Sequence, residues 1–129
     1  MIKTKKYTIY VLTILGFVIL STVVEMMSYT LLRAPAPEGF GPIDLVLMFP
    51  TKILLAFIFI FMFRLSAGSK LSENGPLYGL LWFLGFSVPS EVGFWLVFKY
   101  EVVTFYAGLI SGLVTFPIWG WIVKKIKLP

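Results

Sequence analysis

The stretch Gly-Phe-Ser-Val-Pro-Ser-Glu-Val-Gly-Phe-Trp, residues 85–95, places a carboxylate inside a run of residues that is otherwise apolar. That run, about residues 76–98, is long enough to cross a bilayer as a helix. An ionisable side chain at membrane depth is costly, so such residues usually face protein, pair with another group or line a path. Glu91 therefore predicts a helical membrane protein with a candidate site inside it.

Proline residues lie close to the charges in two of the apolar runs. Pro89 precedes Glu91 by two residues, and Pro50 precedes Lys52 by the same distance, while a third proline, Pro117, lies in the last run. A proline has no N–H, so it leaves a helical carbonyl for water, a hydroxyl or a cation to satisfy. We expect kinks at all three prolines, which serve either helix packing or the binding of an ion.

The composition excludes most soluble and metal-dependent classes. Hydrophobic residues make up 59 % of the 129 residues and charged residues 13 %, whereas a soluble domain carries about 25 % charged residues. The chain has no Cys and no His, which excludes disulfides, thiol catalysis and the usual zinc and copper sites. We therefore expect no cofactor and no metal. We also expect no nucleic-acid partner, because the lysines that give the net charge of +5 lie at the ends of apolar runs.

Four apolar runs predict an all-α, polytopic membrane protein, an up-down bundle of four transmembrane helices forming a single domain over residues 1–129. The helices are expected at about residues 7–32, 43–63, 76–98 and 102–123. The basic head before the first run is also typical of a signal peptide. Because that run is long and no good small-x-small cleavage site follows it, we expect a retained first helix.

Basic residues predict the orientation. In an up-down bundle the head, the 64–75 loop and the tail share one side, and this side holds most of the basic residues: Lys3, Lys5, Lys6, Arg64, Lys70, Lys124, Lys125 and Lys127. The other side holds Arg33 and Lys99. The positive-inside rule then places both termini in the cytoplasm, and we expect the cell membrane as the location.

Three charges are predicted to meet in one layer of the membrane. Glu25, Lys52 and Glu91 each lie roughly 10 Å from the outer end of their helix at about 1.5 Å per residue, and their side chains lean toward a common depth. Polar residues within a helical turn of the two glutamates extend this candidate site: Ser21, Thr22, Ser28, Tyr29 and Ser87.

Two hypotheses explain such a cluster. Lys52 pairs with a glutamate to fix the helix register, or the cluster binds a proton, a cation or a polar solute. Two carboxylates and one ammonium leave an excess negative charge, which a low-dielectric environment opposes. One glutamate is then expected to hold a proton or a cation.

The fourth apolar run carries small residues at helical spacing. Gly108 and Gly112 lie one turn apart, and Thr104 lies one turn before them. This pattern is typical of close helix–helix contact in membranes. The partner is either a helix of the same chain or one of a second copy.

Three functions are compatible with these patterns. The first is proton- or cation-linked transport or permeation of a small solute, which would require a homo-oligomer because four helices enclose little volume. The second is an accessory or assembly subunit of a larger membrane complex. The third is an intramembrane enzyme acting on a lipid, which we rank last because no nucleophile motif or phosphate cradle accompanies the acids.

Overall fold

The computed structural model describes residues 2–35 and 42–126, with side chains for residues 5–35 and 48–126. Its helices are α1 (Ile2–Leu31), α2 (Pro42–Leu65), α3 (Lys70–Glu73), α4 (Gly75–Trp82), α5 (Val88–Phe98) and α6 (Val102–Ile126). A π-helical turn, Phe83–Ser87, joins α4 to α5. We call α4, this turn and α5 together the third span.

Four helical segments are long and apolar enough to cross a membrane: Lys5–Leu31, Met48–Leu65, Gly75–Phe98 and Val102–Ile126. No strand occurs in residues 2–35 or 42–126. The predictions of an all-α chain and of four candidate spans are therefore confirmed. The helices themselves differ from the predicted bounds, and α6 extends past residue 123 because Lys124 and Lys125 are good helix formers.

The connections were predicted less well than the helices. The sequence predicts a loop over residues 64–75, but this segment contains the short helix α3. Asn74 then caps α4 by accepting a hydrogen bond from the N–H of Leu77 at 3.1 Å, and Pro76 occupies the first turn of α4. Most of the connection between the first two predicted helices, and the tail from Lys127, lie outside the described residues.

Helix α6 is the central element, since it packs against α4, the π turn, α5 and α1, while α1 also packs against α2. The α4–α6 contact joins one backbone to the other. A Cβ atom built on Gly75 or Gly120 would overlap the carbonyl of the other glycine, and one built on Gly79 would overlap the carbonyl of Phe116. Such close approach maximises van der Waals contact between helices that lipid does not force together.

A cluster of aromatic rings fills the bundle near the start of α4. Trp119, Phe17 and Phe59 are its most buried members, and the rings of Phe17 and Trp119 stack with centroids 4.9 Å apart. The hydroxyl of Tyr78 donates to the carbonyl of Phe59 at 2.5 Å and so ties α4 to α2. We call this region the Tyr78 end.

The opposite region, the Tyr100 end, is formed where α1 ends and α6 begins. The Thr104 hydroxyl donates to the carbonyl of Pro35 at 3.2 Å, which connects these two elements. The third span also ends here, at a turn in which Lys99 adopts a left-handed conformation with φ 51°. Lys99 donates its N–H to the carbonyl of Trp95 at 2.9 Å, which closes α5.

The three prolines behave differently in the helices. The chain remains α-helical through Pro50 and Pro117. Before Pro89 it forms the π turn, in which Val88 donates its N–H to the carbonyl of Phe83. Pro89 has no N–H, so it cannot donate a hydrogen bond to a carbonyl of the preceding turn, whether that turn is α or π. The helix changes from π to α hydrogen bonding at the place where this donor is missing.

Candidate functional site

Lys52 and Glu25 form an ion pair between α2 and α1. The Lys52 Nζ lies 2.7 Å from Oε2 of Glu25, and the two side chains are 14 % and 29 % exposed. The same ammonium donates to the Thr22 hydroxyl oxygen at 3.1 Å. Glu25 and Thr22 are three residues apart and share one helix face, so α1 presents both ligands to Lys52 together.

Glu91 occupies a separate environment on the third span. Its Oε2 accepts a hydrogen bond from the Tyr100 hydroxyl at 3.4 Å. Its carboxylate packs onto Gly108 of α6, where a Cβ atom would lie 2.5 Å from Oε2. Among the side chains of residues 5–35 and 48–126, the Lys52–Glu25 pair is the one salt bridge, so Glu91 has no cation beside it there.

The two acids are nevertheless close enough to influence one another. The carboxylates of Glu25 and Glu91 interact electrostatically with each other, and the Tyr29 phenol interacts electrostatically with both carboxylates. Tyr29 therefore stands at the junction of the ion pair and the Glu91 environment. The remaining predicted residues of α1 are less central, since the buried Ser28 hydroxyl donates to the carbonyl of Val24 at 2.9 Å and Ser21 is only partly buried.

Tyr100 is a site residue that the sequence analysis did not assign. The indole N–H of Trp95 donates to its carbonyl at 3.1 Å and fixes the turn that aims the phenol back at Glu91. Burial raises the pKa of Tyr100, and the Glu91 carboxylate raises it further. The phenol is therefore a hydrogen-bond donor at neutral pH. Sequence reasoning missed it because a left-handed Lys99 is not a recognisable turn signal.

The small residues of α6 accommodate polar side chains of the third span. Ser87 lies against Gly112 in the same way that Glu91 lies against Gly108. The partner of the predicted Gly108–Gly112 motif is therefore the third span of the same chain. Gly75 and Gly79 on the facing helix have the same four-residue spacing, so the sequence also carries a signal for that contact.

Comparison of the chain with protein-family models, with curated proteins and with solved structures finds no match. Four candidate spans indicate a multi-pass helical membrane protein, and its described side chains include an ion pair and a separately held carboxylate inside these spans. Fold alone does not specify a function, whereas the chemistry of the site does restrict it.

Proposed function

We propose that the protein is a small transport or permeation protein in which Glu91 binds and releases a proton or a cation. The observation that supports this is the Glu91 environment itself. A carboxylate within a candidate span meets one phenol and one glycine, and the ammonium of Lys52 is already engaged by Glu25. A carboxylate at membrane depth is stabilised by binding a positive charge, and intramembrane acids often serve in ion relays.

In this proposal the two acids have different roles. Glu25 neutralises Lys52 and holds α1 against α2, because their contact is short and joins two helices. Glu91 exchanges its ion, because its single hydrogen bond of 3.4 Å is long and is easily replaced. The pair would thus position the site, while Glu91 would change its protonation or occupancy.

The proposed arrangement in the cell follows the basic residues. We place the four spans alternately up and down in the cell membrane, with the termini and Lys70 in the cytoplasm. Glu91 and the Lys52–Glu25 pair then lie nearer the outer surface, with Tyr100 outside them. Four helices enclose little volume, so we propose that transport takes place in a homo-oligomer.

Flux measurements on the purified protein test the proposal. Reconstituted liposomes containing a pH-sensitive dye are given a pH gradient. A parallel movement of potassium compensates the charge that the protons carry. The wild-type protein should dissipate the gradient, and Glu91→Gln should abolish that flux. Glu73→Gln, which makes the same change at an exposed residue of α3, should leave it intact.

Two results would contradict the proposal. Glu91→Gln liposomes that conduct like the wild type would remove the role of Glu91. Wild-type liposomes that move neither protons, sodium nor potassium faster than empty ones would contradict transport altogether. In that case, recovery of a second protein with the chain in mild detergent would establish the accessory-subunit alternative.

A further inference from the structure

One face of α6 carries polar side chains along most of its buried length. Thr104, Ser111, Thr115 and Trp119 lie on this face, and each is at most 9 % exposed. The turns between them hold Gly108 and Gly112, onto which Glu91 and Ser87 of the third span pack. A strip of polar groups therefore leads from Glu91 toward the Tyr78 end. We call Ser87, Ser111, Thr115 and Trp119 the hydroxyl column.

Two members of this column have unsatisfied polar atoms. The Thr115 hydroxyl and the Trp119 indole N–H are buried without a hydrogen-bond partner, in side chains that are 4 % and 1 % exposed. The buried Thr13 hydroxyl of α1, in contrast, donates to the carbonyl of Ile9 at 2.8 Å. Because buried polar groups are almost always paired, with protein or with ordered water, two orphans one turn apart indicate a place where water binds.

The spacing of the column suits a chain of hydroxyls and single waters. Side chains one helical turn apart are about 5–6 Å from each other, which is about twice an O–H···O distance of 2.8 Å. A single water is therefore the right size to bridge Ser111 to Thr115 and Thr115 to Trp119, the members that lie one turn apart on α6. A hydroxyl both donates and accepts a hydrogen bond, so it passes a proton on, whereas the indole N–H only donates.

We propose that the ion exchanged at Glu91 is a proton, and that it travels between Glu91 and the Tyr78 end along the hydroxyl column. This inference rests on the proposed function and specifies its substrate and its path. The Glu91 carboxylate takes a proton from the adjacent water or from Ser87, which regains one from the next member. Only O–H bonds form and break. Trp119 holds the water at the far end of the column.

The chemistry of the site favours a proton over a metal cation. Hard cations take six or more oxygen ligands, and no group of three acidic, His or Cys side chains converges within the described residues. A proton requires only one acid and a path. From the level of Gly108 to that of Trp119 this path covers about 16 Å, at about 1.5 Å per residue.

The far end of the column lies within the aromatic cluster. Phe17, Phe59 and Phe116 surround Trp119, with ring centroids 4.9 Å, 5.5 Å and 5.5 Å from its own. These rings separate the column from the aqueous phase beyond the Tyr78 end. Entry of water beside Trp119 is therefore the step that connects the path to the aqueous phase.

Proton flux in liposomes tests the column with matched variants. Thr115→Val should slow the flux about tenfold, which corresponds to about 1.4 kcal/mol in the transfer barrier. Thr115→Ser retains the hydroxyl and should restore the flux. Thr13→Val makes the same change at a buried threonine whose hydroxyl is already paired, and it should conduct like the wild type. The wild-type rate should be the same in sodium, potassium and choline salts.

The other possible results show which part of the proposal is wrong: the column, the proton as substrate, or transport itself. Equal flux in Thr115→Val and Thr115→Ser would overturn the column while wild-type flux upholds the proposed function. Flux that requires sodium or potassium would overturn the proton as substrate, again without removing transport. Absence of all flux in the wild type would overturn both proposals. Should Thr115→Val not fold, Ser111→Ala compared with Ser111→Thr makes the same test.

Discussion

At the scale of single residues, the important feature is which of the two acids pairs with the one lysine. Three charged side chains, those of Glu25, Lys52 and Glu91, lie well within the apolar runs. Lys52 contacts Glu25 and Thr22, whereas Glu91 contacts Tyr100. Helix depth and side-chain lean predict from the sequence alone that these residues share one layer. Which acid reaches the lysine depends on the rotation of each helix about its axis, and helices that are apolar on all sides carry little information about that rotation.

The ion pair leads to a stability prediction. Removing one partner of a buried pair costs about 3–5 kcal/mol, and since Lys52 and Glu25 remain 14 % and 29 % exposed, we expect the lower end for Lys52→Met. Adding Glu25→Gln should restore part of the unfolding free energy, because it removes the stranded carboxylate. Adding Glu91→Gln should not. Unfolding in detergent measures these effects.

Lys70→Met is the matched control for that series, because Lys70 is exposed on α3. It should change the unfolding free energy by less than about 0.5 kcal/mol. Equal rescue by the two glutamine substitutions, or strictly additive effects of Lys52→Met and Glu25→Gln, would show that Lys52 and Glu25 do not act as a pair.

At the scale of elements, the third span combines two kinds of contact with α6. Near the Tyr78 end its glycines meet the α6 backbone directly, and near the Tyr100 end its polar side chains lie on α6 glycines. The sequence predicts that the third span is a helix from the length of its apolar run. It does not predict the π turn, because Pro89 is compatible with either a kink or a changed hydrogen-bonding pattern.

Glycine substitutions distinguish the packed face of the third span from its open face. Gly79→Leu should destabilise the bundle by about 3 kcal/mol, the upper range for overpacking, because its side chain would overlap the Phe116 carbonyl. Gly85→Leu should be tolerated, since a Cβ atom there meets nothing within 4 Å. Thermal unfolding in detergent gives the comparison, and equal losses at both positions would contradict the observed packing.

At the scale of the whole molecule, orientation in the membrane is the property that the sequence addresses most directly. The chain has no cysteine, so single cysteines report exposure without background. Glu101→Cys and Lys70→Cys, both at exposed positions, should react differently with an impermeant thiol reagent. We expect labelling at position 101 in intact cells and at position 70 only after lysis. The reverse pattern would invert the proposed topology.

The packing of Glu91 onto Gly108 has a consequence for biosynthesis. The third span leaves the ribosome before α6, so at that moment its carboxylate lacks the surface that later covers it. Releasing such a helix alone into lipid is unfavourable, and the connection from Phe98 to Val102 is short. We therefore expect the translocon to retain the third span until α6 arrives and to release the two as a preassembled hairpin.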